Sequence, residues 1–170
     1  MPASLSLNGL EKIDYSELKE TMKEMKKLAQ HIILDSAAGL GDEAKAAIES
    51  ADEVIVVTNP NILSVTDSLK TIKLAQDLKK PIRGVILTRY SGDSTQMPIE
   101  NIREMLEVPI IGIVPEDKSV QESLVKKNSV IHHKPRSKSA RAYRDIAASI
   151  LGKKKKVESI LDRLLYRFGI

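Results

Sequence analysis

Asp35 ends the aliphatic run Ile32-Ile33-Leu34, and Gly39 stands four residues later. An acid at the end of a buried strand can hold a Mg²⁺ ion, usually through water, beside a nucleotide's phosphates. A glycine at that distance can bring its backbone N–H close to a terminal phosphate, because it has no Cβ. Aspartate, three residues, then glycine is the Walker B and switch II spacing. Two other readings of these residues stay open. Asp35 can simply cap the next helix. Gly39-x-Gly41-x-x-Ala44 also matches a dinucleotide-binding loop, although there the first glycine should follow the strand almost at once and here Asp35 to Ala38 intervene.

Such chemistry needs elements that hold it. Residues 1–10 alternate weakly, as a short strand would. Leu18, Met22, Met25 and Leu28 recur at helical spacing and predict a helix over 15–29. The run 31–35 reads as a buried strand, and the Ala-rich stretch 43–50 as a helix. Val54 to Thr58 predicts a second strand, closed by Asn59-Pro60, followed by a helix over about 64–78. Strands over 83–88 and 109–114 alternate with helices over 99–106, 120–126 and 140–151. Strands alternating with helices of this length indicate βαβ units and a parallel sheet. Near-continuous Ile/Val/Leu runs indicate helices on both sheet faces. In such sheets the ligand crevice lies beyond the carboxyl ends of the strands. Those ends carry Asp35, Thr58-Asn59-Pro60, Thr88-Arg89 and Pro115-Glu116-Asp117, which form a functional edge or merely start loops.

The run 32–41, followed by 51–70 with its Val-Ile-Val-Val-Thr-Asn-Pro core, resembles the MinD/ParA family of ATPases, in particular archaeal MinD-like members. The resemblance continues through Leu87-Thr88-Arg89-Tyr90, the stretch 108–117 and Pro135-x-Ser137-x-x-Ala140-Arg141-Ala142, and it covers essentially the whole chain. It implies ATP and Mg²⁺ as cofactors, with Asp35 as the Walker B acid and Gly39 as the switch glycine. It places Thr88 and Arg89 where the family contacts adenine, and Pro115, Glu116 and Asp117 on the other side of the base. It puts Asp67 on the helix that faces the partner in an ATP-bound homodimer, and implies a division-site regulator or cargo as a further partner. Two positions depart from the family pattern. Ala37 replaces a usual proline, and Thr88 stands where many members have asparagine.

No segment reads G-x-x-x-x-G-K-[ST]. The only Gly-Lys pair, Gly152-Lys153, is followed by Lys154 and has Ala147 where the first glycine belongs. The family places its P-loop and catalytic lysines, and a second Mg²⁺- and water-handling aspartate, ahead of the residues resembled here. The expected fold is therefore an incomplete parallel sheet flanked by helices, lacking the P-loop strand. Residues 1–152 form the C-terminal portion of the switch domain, and apolar strand edges are left unpaired. Three origins are open: an internal start site, a separately encoded N-terminal half, or a member that keeps only partner binding. Each predicts little ATP binding and no hydrolysis by this chain alone, because backbone N–H groups and lysine of that loop supply most of the phosphate affinity.

Charge is unevenly spread. Residues 1–117 hold 13 basic and 19 acidic side chains, and residues 118–170 hold 14 and 4. Lys153, Lys154, Lys155 and Lys156 precede Val157, Ile160, Leu161, Leu164, Leu165 and Phe168, which fall on one face of a helix. That pattern suits an interfacial helix on an anionic membrane surface, and resembles the C-terminal targeting helix of MinD proteins. The resulting placement is cytoplasmic, peripheral on the inner face of the cell membrane. A helix folded back on the domain is the alternative. Lys134, Arg136, Lys138, Arg141 and Arg144 could meet DNA phosphates without sequence preference, as in a DNA-partitioning relative. With one Phe and no Trp, specific nucleic-acid recognition by stacking is not expected. The absence of Cys excludes thiol catalysis and Cys-ligated metal, and His31, His132 and His133 form no ligand set with nearby acids.

Overall fold

The computed structural model describes residues 18–36 and 39–153. Three parallel strands, β1 (Val54–Thr58), β2 (Ile82–Tyr90) and β3 (Ile110–Pro115), form one sheet in the order β1-β2-β3. Ahead of them lie α1 (Leu18–Met25) and α2 (Asp42–Ser50). Between and after them come α3 (Ile62–Asp77), α4 (Ile99–Leu106), α5 (Lys118–Val125), α6 (Val130–His133) and α7 (Lys138–Ile150).

Alternation along β2 divides the core. Val85 and Leu87 point to one face, where they pack with Val56 and with Val65 and Ile72 of α3 and Ile102 and Leu106 of α4. Ile86 points to the other face, against Val114 of β3 and Ile146 of α7. Helices lie on both faces, although the face under α7 is left open over β1, where Val57 is 61% exposed. Hydrogen-bonding side chains set several helix starts. Asn61 accepts from the Ser64 amide at 2.9 Å, which begins α3 at Ile62, two residues ahead of the expected Ser64. Ser137 accepts from the Ala140 amide at 3.2 Å and begins α7. The single turn of α6, capped by Ser129, is too short to show periodicity and was not expected from the sequence.

One expected strand does not form. Residues 31–36 run as irregular chain, with Ile33 92% exposed. A strand needs a neighbour for its backbone N–H and C=O groups, and among the described residues the sheet ends at β1 without reaching this segment. Among the described residues the outer edge of β1 is correspondingly unpaired. The expected N-terminal strand and the helix over 157–168 lie outside the described residues, as do Lys154, Lys155 and Lys156. No helix among the described residues is long and apolar enough to cross a membrane.

Two glycines permit close approaches. A Cβ on Gly112 of β3 would collide with Ile146, so its absence lets α7 lie flat on the sheet. Gly84 of β2 has φ +150°, and a Cβ there would stand 2.5 Å from both Ile111 Cγ2 and the Pro109 carbonyl oxygen. That carbonyl accepts the Val85 amide at 2.8 Å, so it cannot move aside without breaking the ladder. Gly84→Ala is expected to destabilise the fold by about 3 kcal/mol, through overpacking and an unfavourable φ. A urea denaturation series checks this, and an unchanged midpoint contradicts it.

Candidate nucleotide-edge site

The three strands deliver Thr58-Asn59-Pro60, Thr88-Arg89-Tyr90 and Pro115-Glu116-Asp117 to one edge of the sheet. The Thr88 hydroxyl donates to Asn59 Oδ1 at 2.8 Å and lies 3.3 Å from the Thr58 carbonyl oxygen, linking the ends of β1 and β2. Pairing between β2 and β3 shifts register between Leu87 and Tyr90, where Arg89 adopts φ +57°. The left-handed conformation is uncommon for a side-chain-bearing residue, and it turns Arg89 out of the ladder. Its Nε then pairs with Glu116 Oε2 at 3.0 Å, bridging the ends of β2 and β3.

Gln96 holds this turn from outside. Its Nε2 donates to the Arg89 carbonyl at 2.9 Å, and its Oε1 accepts from the Ser91 and Gly92 amides at 2.8 and 3.2 Å. The Met97 amide donates to the Pro60 carbonyl at 2.9 Å, so the same loop also reaches β1. Nothing in the sequence singles out Gln96. Its role comes from a loop folding back on itself, which no periodicity encodes.

Asp117 ties two helix starts together. Its Oδ1 accepts from the Ser119 amide at 2.9 Å, capping α5, and its Oδ2 accepts from both the amide and the hydroxyl of buried Ser139 at 3.0 Å, in the first turn of α7. One carboxylate thus satisfies the N-termini of two helices, where unpaired amides and the helix dipoles favour an anion. Burial opposes its ionisation, but the hydrogen bonds from Ser139 and Ser119 outweigh it and lower the pKa to about 2. A shallow groove of about 410 Å³ runs between the two helix starts, lined by Glu116, Asp117, Lys118, Ser119, Arg136 and Lys138 with Ser137.

The other expected residues lie apart from this cluster. Asp67 is exposed one turn into α3 and pairs with Lys70 at 2.9 Å, near exposed Ile62 and Leu63. Asp35 is exposed on irregular chain, and no hydrogen bond or ion pair among the described residues joins it to Thr88, Arg89, Glu116 or Asp117. Gly39 has φ +113° with open space around it. Lys153 is exposed just past α7. Lys134 pairs with Glu122 at 3.4 Å, and Arg144 donates to the Pro135 carbonyl.

Of the groups a nucleotide would need, this edge offers hydrogen-bonding side chains, with Thr88 and Asn59 bonded to each other and the groove lined by charged and hydroxyl groups. The 170 residues include no glycine-rich lysine loop for the phosphates.

A parallel sheet with helices on both faces and its functional groups at the carboxyl edge is the fold of nucleotide-switch domains. The family described as 4Fe-4S iron sulfur cluster binding proteins, NifH/frxC, matches residues 37–163. An uncharacterized ATP-binding protein of Methanocaldococcus jannaschii is 37% identical over 97% of this chain and 65% of its own length. Two solved structures superpose closely. The cell-division ATPase MinD of Pyrococcus furiosus has TM-score 0.80 at 30% identity, over 88% of this chain and 63% of that one. The septum site-determining protein MinD of Pyrococcus horikoshii, complexed with Mg-ADP, has TM-score 0.79 at 30% identity, over 92% and 63%. The chain belongs to the NifH/frxC family and is of the MinD/ParA type. It spans less than two-thirds of the length of these relatives. Its 170 residues include no cysteine, so they supply no thiolate for an iron–sulfur cluster.

Because the folded pKa of Asp117 lies below its ordinary 3.8, its stabilisation is present above about pH 4 and is lost as pH falls toward about 2. Asp117→Asn is expected to cost about 2 kcal/mol at neutral pH, with the gap to wild type closing toward pH 2. Urea midpoints across that range test this, and a gap independent of pH excludes the carboxylate as its source.

Proposed function

We propose that this chain is the base-binding, dimerising and membrane-targeting portion of a MinD-like ATPase, an ATP-dependent dimerisation switch that serves division-site placement or related spatial positioning. The observation carrying this reading is the convergence of Thr88, Arg89, Glu116 and Asp117 on one sheet edge in a MinD/ParA chain. In this reading Thr88, Arg89 and Pro115–Asp117 face the adenine, with Asp117 holding the helices that wall it. Asp35 and Gly39 belong to the Mg²⁺ and γ-phosphate end. Asp67, with the apolar Ile62 and Leu63 beside it, belongs to the face between two copies in the ATP state. Residues 1–152 and 153–170 are separate functional parts, the second a lysine tether and anchor helix for an anionic membrane at the inner face of the cell. A division-site regulator or cargo is the further protein partner.

Phosphate chemistry is assigned elsewhere. ATP and Mg²⁺ need a lysine loop that these residues do not include. The unpaired edge of β1 and the apolar run 31–35 are where a further strand would join the sheet, supplied by a separately encoded N-terminal half or an upstream segment. One observation favours a second reading, a binding module without catalysis: Thr88 is already bonded to Asn59 and Arg89 to Glu116, so the base-side groups satisfy one another.

The purified chain is expected to show no ATP turnover above background. Turnover that disappears in Asp35→Ala refutes that expectation. The tail is expected to drive sedimentation with vesicles containing phosphatidylglycerol, and Leu164→Glu to lower that binding about tenfold, by placing a charge on the apolar face. Binding unchanged by Leu164→Glu rules out the tail as the anchor. Sedimentation with duplex DNA in place of vesicles favours a partitioning role.

A further inference from the structure

We propose that the C-terminal tip of α5 is a second contact site for an anionic lipid surface, built into the folded domain and separate from the tail. Leu124 and Val125, the last two residues of α5, are 68% and 81% exposed, although both are aliphatic. Lys126 and Lys127 follow directly and are exposed, and among the described residues neither pairs with a carboxylate. Leu124 and Val125 end the helix, Lys126 caps it and Lys127 turns away from it, so the four side chains sit together at its C-terminal end. A plane fits such an end better than a groove does.

The backbone at the tip is closed. The Lys126 amide donates to the Glu122 carbonyl at 3.3 Å, the Lys127 amide to Leu124 at 2.8 Å and the Asn128 amide to Ser123 at 3.0 Å. These bonds satisfy three terminal carbonyls that would otherwise resist removal from water. The last two are the paired bonds of a Schellman cap, which places Lys127 in the left-handed region at φ +50°, a position glycine would occupy without strain.

Chemistry selects the occupant. At the tip itself the charge is that of Lys126 and Lys127, since Lys118, Arg136 and Lys138 line the groove at the other end of α5 and Lys134 pairs with Glu122. Lysine is depleted in protein–protein interfaces, and two aliphatic side chains are too little apolar area for such a core. Nucleic acid matches the charge but offers nothing to a protruding Leu-Val pair, and no aromatic side chain stands at the tip for stacking. An anionic bilayer meets both requirements: headgroups for the lysines and the acyl boundary for Leu124 and Val125.

The test uses the full chain carrying Leu164→Glu and Leu165→Glu, which removes the tail's apolar face, with vesicles of phosphatidylcholine alone or mixed with phosphatidylglycerol. The tail-disabled chain is expected to retain binding to the anionic vesicles only. Adding Val125→Glu, or Lys126→Gln with Lys127→Gln, is expected to lower it about tenfold. Val125 is exposed, so circular dichroism should show an unchanged fold, and Leu124→Ser provides a milder second variant. No anionic-vesicle binding by the tail-disabled chain overturns the proposal. So does a loss seen with the lysine variants but not with Val125→Glu or Leu124→Ser, which would mean charge attraction without insertion. Duplex DNA binding that falls with the lysine variants, beside unaffected vesicle binding, also overturns it. The tail is judged separately, by comparing the tail-disabled chain with the unaltered one.

Discussion

A strand keeps its conformation only while neighbours satisfy its backbone, and among the described residues only β2 has a neighbour on each side. The two cores hang from this strand. Val85 and Leu87 anchor the layer of α3 and α4, and Ile86 anchors the layer of α7. Its carboxyl end also organises the candidate site, because Thr88 reaches β1 while Arg89 leaves the ladder to reach Glu116 beyond β3. Fold and site therefore share one support. The tight packing at Gly84 and Gly112, where no Cβ fits, shows how closely its neighbours are drawn in.

The sequence was legible where a segment's own pattern decides its fate. Val54–Thr58 and Ile99–Leu106 form where their aliphatic spacing places them, because their neighbours lie within the described residues. The run 31–35 has as strong a strand pattern as Val54–Thr58 and forms none, because pairing is a property of two segments and composition reports only one. At the site, Thr88, Arg89, Glu116 and Asp117 were legible from their places at strand ends and from the family resemblance. Gln96 and Ser139 were not, since each acts through a loop or helix start brought close only by the tertiary fold.

Electrostatically, the acids of this edge are already engaged. The Arg89 guanidinium faces Glu116, and the Asp117 carboxylate occupies the position that two helix N-termini would offer an incoming anion. Lys118, Arg136 and Lys138 line the groove beside them, so its surplus charge is positive. A second basic run follows Gly152.

The helix α7 joins these two regions. Its first turn is gripped by Asp117 through Ser139, and its last carbonyls, those of Ser149 and Ile150, accept from Arg83 near the start of β2, at the opposite edge of the sheet. Its 13 residues make a rod of about 20 Å, seated against β3 through the Gly112–Ile146 contact. Gly152 and Lys153 thus lie at the far end of a strut whose near end borders the candidate groove. A tilt of roughly 5° about the Asp117 end would swing them by about 2 Å. One helix carries both the groove wall and the point where the chain leaves the described domain, so a change of angle at either is shared by the other.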